Sequence, residues 1–155
     1  MICNSSPLIC LAKINQLHLL KELLKKIIIP EVVKEEVLIE DKPGFEIISR
    51  AIDEKWIETK NPQKQLDLKI GKGENAAINL AIEINQPIII DDALGAKIAR
   101  SLNVEVLRTT SVILLATKKK IITKKQAVDL LNKLFDIGYY LAPRYYAALL
   151  TKLSV

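Results

Sequence analysis

Two runs of three isoleucines, Ile27–Ile29 and Ile88–Ile90, constrain this chain more than any other feature. Side chains alternate between the two faces of a strand, so a strand without a polar member has no face to give to water. Ile88–Ile90 therefore reads as a strand buried on both sides, as in a parallel sheet covered by helices. Ile27–Ile29 is a compact apolar strand stopped by Pro30. Ile2 and Cys3 begin a short first strand, and Trp56–Thr59 and Val104–Leu107 add two more. Between these runs the pattern is helical. Pro7 suits the first turn of a helix running to about Ile14. Leu17–Leu24, Glu31–Leu38 and the Phe45, Ile48, Ala51, Ile52 series continue the theme. Asn61–Lys72 is polar and reads as a loop. Gly73 and Glu74 open a helix with Ala77, Leu80, Ala81 and Ile84 on one face, and Pro87 breaks it. Asp92 suits the N-cap of a helix over Ala93–Leu102. Ser111–Lys118, Thr123–Ile137 and Pro143–Leu153 are helical in turn. Alternating short strands and helices predict an α/β sandwich with a mainly parallel central sheet. At 155 residues the chain fits a single domain, 1–155.

Composition excludes several classes. The longest unbroken apolar runs, such as Val112–Ala116, fall far short of the ~20 residues of a membrane span. Asn4, Ser5, Ser6 and Pro7 interrupt the N-terminus before a signal-peptide core can form. Cys3 and Cys10 are too few for a disulfide scaffold or a structural zinc site, which points to a cytoplasmic protein with reduced thiols. His18 is the single histidine; it sits in a leucine-rich run without a neighbouring Asp or nucleophile and reads as structural. The net charge of +5 is compatible with a polyanionic partner without demonstrating one. Aromatic residues make up only 5%, which argues against a base-stacking platform.

In an open parallel sheet, ligands bind outside the carboxyl ends of the strands. Asn4 follows the first strand, and Asp91 and Asp92 follow Ile88–Ile90. Glu74 lies in the first turn of its helix, and Glu36 lies on the helix after Ile27–Ile29. These residues can converge on one end of the sheet. Oxygen donors gathered without histidine or cysteine suit Mg²⁺ or Mn²⁺. A plainer reading stands beside this one. Asp92 and Glu74 each favour a helix N-terminus on electrostatic grounds, and Glu35 and Glu36 fit a solvated helix face.

The motifs narrow the choice. Asn4-Ser5-Ser6-Pro7-Leu8-Ile9, followed by Leu11-Ala12-Lys13, resembles the opening of the PIN-domain family. Pro30-Glu31-Val32-Val33-Lys34-Glu35-Glu36-Val37 resembles its second motif, and Gly73-Glu74-Asn75-Ala76-Ala77-Ile78 its third. Ile90-Asp91-Asp92, with Ala99 and Arg100 downstream, resembles its fourth. The matches come in order and cover about residues 1–150. The resemblance implies a PIN-like three-layer sandwich and a nuclease dependent on Mg²⁺ or Mn²⁺. Within the family it points to VapC-like toxins, which cut RNA and pair with a small antitoxin protein. Carried over by residue, Asn4, Glu36, Glu74 and Asp92 form the catalytic cluster, with Asn4, Glu74, Asp92 and the adjacent Asp91 as metal candidates. Thr109 and Ser6 would support the cluster, Thr109 through water. Arg100 and the Lys118–Lys120 run would hold the RNA backbone, although such a run also fits a solvated helix end.

Two points stay open at this level. Asn4 stands where most active PIN nucleases have Asp, and its amide oxygen can coordinate Mg²⁺ but brings no charge. A catalytically weak PIN-like protein that acts by binding a partner or nucleic acid is therefore the alternative, with a structure-specific DNA nuclease ranked lower. Asp91 and Asp92 should point to opposite sides if the strand extends through them, so only one faces the cleft. The resemblance selects Asp92, while its expected service as an N-cap makes Asp91 a rival. Small PIN proteins usually pair, and Leu8, Leu11, Leu17, Leu20 and Leu24 offer more apolar surface than a short helix pair needs, which predicts a homodimer.

Overall fold

The computed structural model describes residues 1–154. Its five strands are β1 (Ile2–Cys3), β2 (Ile27–Ile29), β3 (Ile57–Thr59), β4 (Ile88–Ile89) and β5 (Val106–Leu107). They form one sheet in the order β3-β2-β1-β4-β5, with every neighbouring pair parallel. Ile2 sits opposite Ile28 on one side and Ile88 on the other, so β1 is the central strand. Nine helices complete the described residues: α1 (Ser5–Lys13), α2 (His18–Leu24), α3 (Glu31–Val37), α4 (Phe45–Asp53), α5 (Lys72–Ile84), α6 (Ala93–Ser101), α7 (Thr109–Lys118), α8 (Lys124–Asp136) and α9 (Pro143–Ser154).

The isoleucine runs do what their pattern predicts. Ile88 and Ile90 point into one core layer with Ile2, Ile78, Leu80 and Ala99, beneath α5 and α6. Ile89 points to the opposite layer with Cys3, Ile27, Ile29, Leu11 and Ile113. All three residues of Ile88–Ile90 are fully buried, so the strand is covered on both faces. The result is the expected three-layer α/β sandwich.

Differences from the sequence reading are small. α1 runs over Ser5–Lys13 with Pro7 in its first turn, as expected, where the missing backbone donor costs nothing. α7 begins at Thr109 rather than Ser111. The 60–71 segment is the expected loop, and α5 pins it down. Asn79 accepts from the Leu66 backbone N–H at 2.9 Å and donates to the Leu66 carbonyl at 3.0 Å, while Asn75 accepts from the Leu68 N–H at 2.8 Å. These bonds fix the chain that leads into the N-terminus of α5, where Glu74 sits.

The leucines expected to form a dimer face are used internally. Leu8, Leu11, Leu17 and Leu20 are at most 2% exposed, and Leu24 packs against the same core. α2 packs on α7 and β2, and α1 on α3, α4 and α7, so the interior consumes the surface that seemed spare. No helix among the described residues is long and apolar enough to cross a membrane.

Candidate active site

The strand order reverses between β1 and β4, which opens a crevice at the carboxyl end of the sheet. A cleft of about 1110 Å³ opens there, and its walls include Asn4, Ser6, Glu74, Asp91 and Asp92. Five cations share it: Lys13, Lys97, Arg100, Arg108 and Lys152.

Asn4 leaves β1 in an extended conformation and precedes α1 without capping it. It is 1% exposed. Its Nδ2 donates to Glu74 Oε1 at 3.3 Å, which fixes the amide orientation, since the flipped form would set oxygen against a carboxylate. Asn4 Oδ1 is buried and has no partner. An unsatisfied buried acceptor costs about 1–3 kcal/mol, so this oxygen is a ready position for a ligand. Glu74 lies in the first turn of α5. A Cβ on Gly71 would fall 2.4 Å from Glu74 Oε2, so the glycine leaves that carboxylate its room.

Asp91 is the most heavily bonded carboxylate of the cleft. Oδ1 accepts from the Thr109 backbone N–H at 2.9 Å and from the Tyr139 hydroxyl at 2.8 Å. Oδ2 accepts from the Thr109 hydroxyl at 2.6 Å. Arg108 Nε lies 3.9 Å from Oδ1, and the Arg108 guanidinium also donates to the Asp91 carbonyl at 3.3 Å. A carboxylate has about four acceptor positions, so one on Oδ2 remains for a ligand. Burial and the Asp91 carboxylate together push the Tyr139 hydroxyl well above the ordinary tyrosine range, which keeps it a donor.

Asp92 is solvent-exposed, and its Oδ2 accepts from the Gly95 backbone N–H at 2.7 Å as the side-chain cap of α6. Both halves of the expected tandem therefore line the cleft, with different duties. Asp92 has one oxygen committed to a helix end, and Asp91 is locked to β5 and α7.

Glu36 does not line this cleft. It is solvent-exposed; the Ser5 hydroxyl donates to it and a Cβ on Gly73 would fall 2.5 Å from its Oε1. It thus abuts the residues next to Asn4 and Glu74. Thr109 is fully buried and holds Asp91 directly, where the resemblance suggested support through water. Ser6 and Arg100 are exposed on the cleft wall. Lys118 is not there. It lines a separate depression with Thr117, Lys120 and Ile121, at the far end of α7 from Thr109, about 14 Å away at 1.5 Å per residue.

Two site residues escaped the sequence reading, Arg108 and Tyr139. Arg108 immediately precedes Thr109, and its charge was the only signal. Tyr139 meets Asp91 across 48 residues of chain, and no local pattern announces that contact.

The arrangement narrows the chemistry. His18 is exposed on α2 and absent from the cleft. Cys10 lines the cleft, but burial and the nearby Asp91 push its thiol up, away from the thiolate a nucleophile needs. The donor set is all oxygen: the unpartnered Asn4 Oδ1, Glu74, the free position of Asp91, and the uncommitted oxygen of Asp92. Among the described residues no three Asp, Glu, His or Cys side chains form a metal-holding group. A hard cation that keeps most of its waters and takes one or two carboxylates plus substrate phosphate fits such a set.

A doubly wound α/β sheet with carboxylates and cations at its switch point offers a cleft suited to a phosphate-bearing ligand. A PIN-domain family model matches residues 1–155, and the chain belongs to the PIN-domain family. PIN domains are generally nucleases, and they generally use divalent metals. No curated protein and no solved structure matches the chain.

Proposed function

We propose that this chain is an endoribonuclease that hydrolyses RNA phosphodiester bonds with Mg²⁺ or Mn²⁺ and serves as the toxin of a toxin–antitoxin pair. The observation that carries the nuclease reading is the cleft itself. A buried, unpartnered amide oxygen and a glutamate at 3.3 Å from the same amide face a cleft shared with Asp91 and five cations. The toxin assignment rests on the VapC-like form of Asn4–Ile9.

Asn4 Oδ1, Glu74 and the open position on Asp91 would hold the cation, with the exposed oxygen of Asp92 at the rim. The cation, when bound, lowers the pKa of water and neutralises phosphate oxygens. Glu74 presents a fixed carboxylate because Asn4 Nδ2 holds one of its oxygens. Thr109, Tyr139 and Arg108 hold the Asp91 carboxylate in one orientation at the cleft. Glu36, held by Ser5, backs the first turns of α1 and α5 and would position Asn4 and Glu74 rather than touch the cation. Arg100, Lys97 and Lys13 would take the backbone phosphates on either side of the scissile bond.

The test is cleavage of RNA and DNA side by side, with Mn²⁺, with Mg²⁺ and with chelator. Metal-dependent RNA cleavage by the wild type, lost in Glu74→Gln, is expected. Folded protein that binds RNA without cutting it under any condition would instead favour the binding-protein alternative, which the neutral Asn4 supports and the carboxylates retained in the cleft oppose. Preferential DNA cleavage would overturn the ribonuclease assignment.

A further inference from the structure

The tyrosines of the C-terminal segment divide by duty. Tyr139 gives its hydroxyl to Asp91, and the Tyr146 ring packs edge-on against Phe135 at 5.2 Å. Tyr140 and Tyr145 do neither. Tyr140 is 79% exposed and Tyr145 49% exposed, and they are the exposed aromatic side chains among the described residues. Both line the cleft that holds Asn4, Glu74 and Asp91. Tyr140 lies in the 137–142 connection and Tyr145 on α9, which together form the wall beside Asp91. Arg144 contacts Tyr145: its guanidinium lies 4.9 Å from the ring centroid and donates to the Tyr145 hydroxyl at 3.2 Å.

Placing both exposed aromatics in one cleft with five cations leaves a surface suited to a polyanion that carries flat apolar rings. A base inside a duplex hides its faces, so a tyrosine ring can stack only on an unpaired base. We propose that Tyr140 and Tyr145 form a base-stacking subsite that seats unpaired bases of a single-stranded nucleic acid beside the acidic end of the cleft. This rests on the nuclease reading above and adds to it the side chains that seat the bases. The low aromatic content argued against a stacking platform, but composition counts residues and does not locate them. Two rings suffice when the fold brings them to one wall. Because every base has a π-face, the subsite selects for unpaired strands and only weakly for sequence.

The test is fluorescence anisotropy in chelator, which separates binding from cleavage. The probes are a short labelled RNA strand, its DNA counterpart, an abasic strand of equal phosphate number, and the RNA duplex. The wild type should bind the base-bearing strands more tightly than the abasic strand and the duplex. Tyr140→Ala and Tyr145→Ala should each weaken base-bearing strands by about fivefold or more, the low end of what one stacked base supplies, and leave the abasic strand unchanged. Tyr140→Phe should restore tight binding, since it keeps the ring. Tyrosine dependence in either the RNA or the DNA arm supports the subsite, and a difference between the arms assigns the sugar. The proposal is overturned if the alanine variants bind within twofold of wild type, if they lose base-bearing and abasic strands equally, or if the wild type does not distinguish those strands, as expected of a cleft that takes a polypeptide. Wild-type protein that binds no strand at all would overturn the nuclease reading as well, whereas strong binding without tyrosine dependence overturns the subsite alone.

Discussion

Replacing Asp91 and Asp92 by alanine, one at a time, should produce stability losses of different size. In Asp91→Ala, the Thr109 backbone N–H, the Thr109 hydroxyl and the Tyr139 hydroxyl all lose their acceptor, and Arg108 loses its nearest charge. Thr109 is fully buried, so water cannot simply replace the carboxylate at that residue. Each buried donor left unmade costs about 1–3 kcal/mol, and partial relaxation leaves a net loss of about 3 kcal/mol. Asp92→Ala removes one cap bond of 2.7 Å at an exposed helix start. Loss of an N-cap typically costs about 1 kcal/mol. For a chain of this size 1 kcal/mol moves Tm by about 2–4 °C, so the expected drops are about 6–12 °C and about 2–4 °C. Asp91→Asn should fall between them. Its amide oxygen can keep the Thr109 N–H and Tyr139 bonds, and its Nδ2 can donate to a Thr109 hydroxyl that turns to accept. Thermal melts by circular dichroism at pH 7, backed by urea unfolding, measure all three. Equal drops for the two alanine variants, or a larger one for Asp92→Ala, would refute the assignment of Asp91 as the joint between β4, α7 and the C-terminal segment.

Three further outcomes are expected. Asn4→Asp sets two carboxylates where Asn4 Nδ2 now donates to Glu74 at 3.3 Å, so Tm should fall without metal and rise on adding Mn²⁺ by more than in the wild type; an identical Mn²⁺ response in both proteins would remove Asn4 from the site. Gly95→Ala would bring a Cβ to 2.7 Å from the buried Ile90 Cδ1 and should cost about 1–3 kcal/mol, whereas Gly73→Ala meets only the mobile end of exposed Glu36 and should leave Tm within about 2 °C while lowering cleavage; urea titrations and activity assays on the pair separate packing from positioning. The native Tyr139 hydroxyl ionises above its unfolded value of 10.0, so above about pH 10 the unfolded chain binds fewer protons than the native one and stability falls, by up to about 1.4 kcal/mol per pH unit; Cys3, raised by burial from 9.0, adds the same sign from about pH 9, and Tyr139→Phe should flatten only the upper part of the curve.

The sheet was legible because its signals are local and redundant. Three isoleucines in a row admit one arrangement, and Pro30 and Pro87 mark boundaries by chemistry that tertiary structure cannot override. The site was legible as far as residues follow a strand end or open a helix: Asn4, Glu74, Asp91 and Asp92 do share one cleft. What remained hidden depends on side-chain direction and on distant chain. Asp91 and Asp92 are adjacent in sequence, and only the position of α6 and of Thr109 decides which caps and which is clamped. Glu36 is displaced from the cleft because α3 sets it against Ser5 and Gly73. Lys118 falls at the wrong end of α7 because a charge run says nothing about which end of a helix meets the site. The leucines of α1 and α2 turned out to serve the interior, since an amphipathic face does not state whether its partner belongs to the same chain.

The clamp on Asp91 also sets a schedule. β1 and β4 carry Asn4 and Asp91 into place from the first part of the chain, but Tyr139 is synthesised 48 residues after the carboxylate it holds. At about 5–20 residues per second, that interval lasts roughly 2–10 s. During it the growing chain can already have its central strands, yet the cleft lacks its C-terminal wall and Asp91 lacks its third donor. The cleft is therefore complete only once the C-terminal segment has been made and Tyr139 has closed on Asp91.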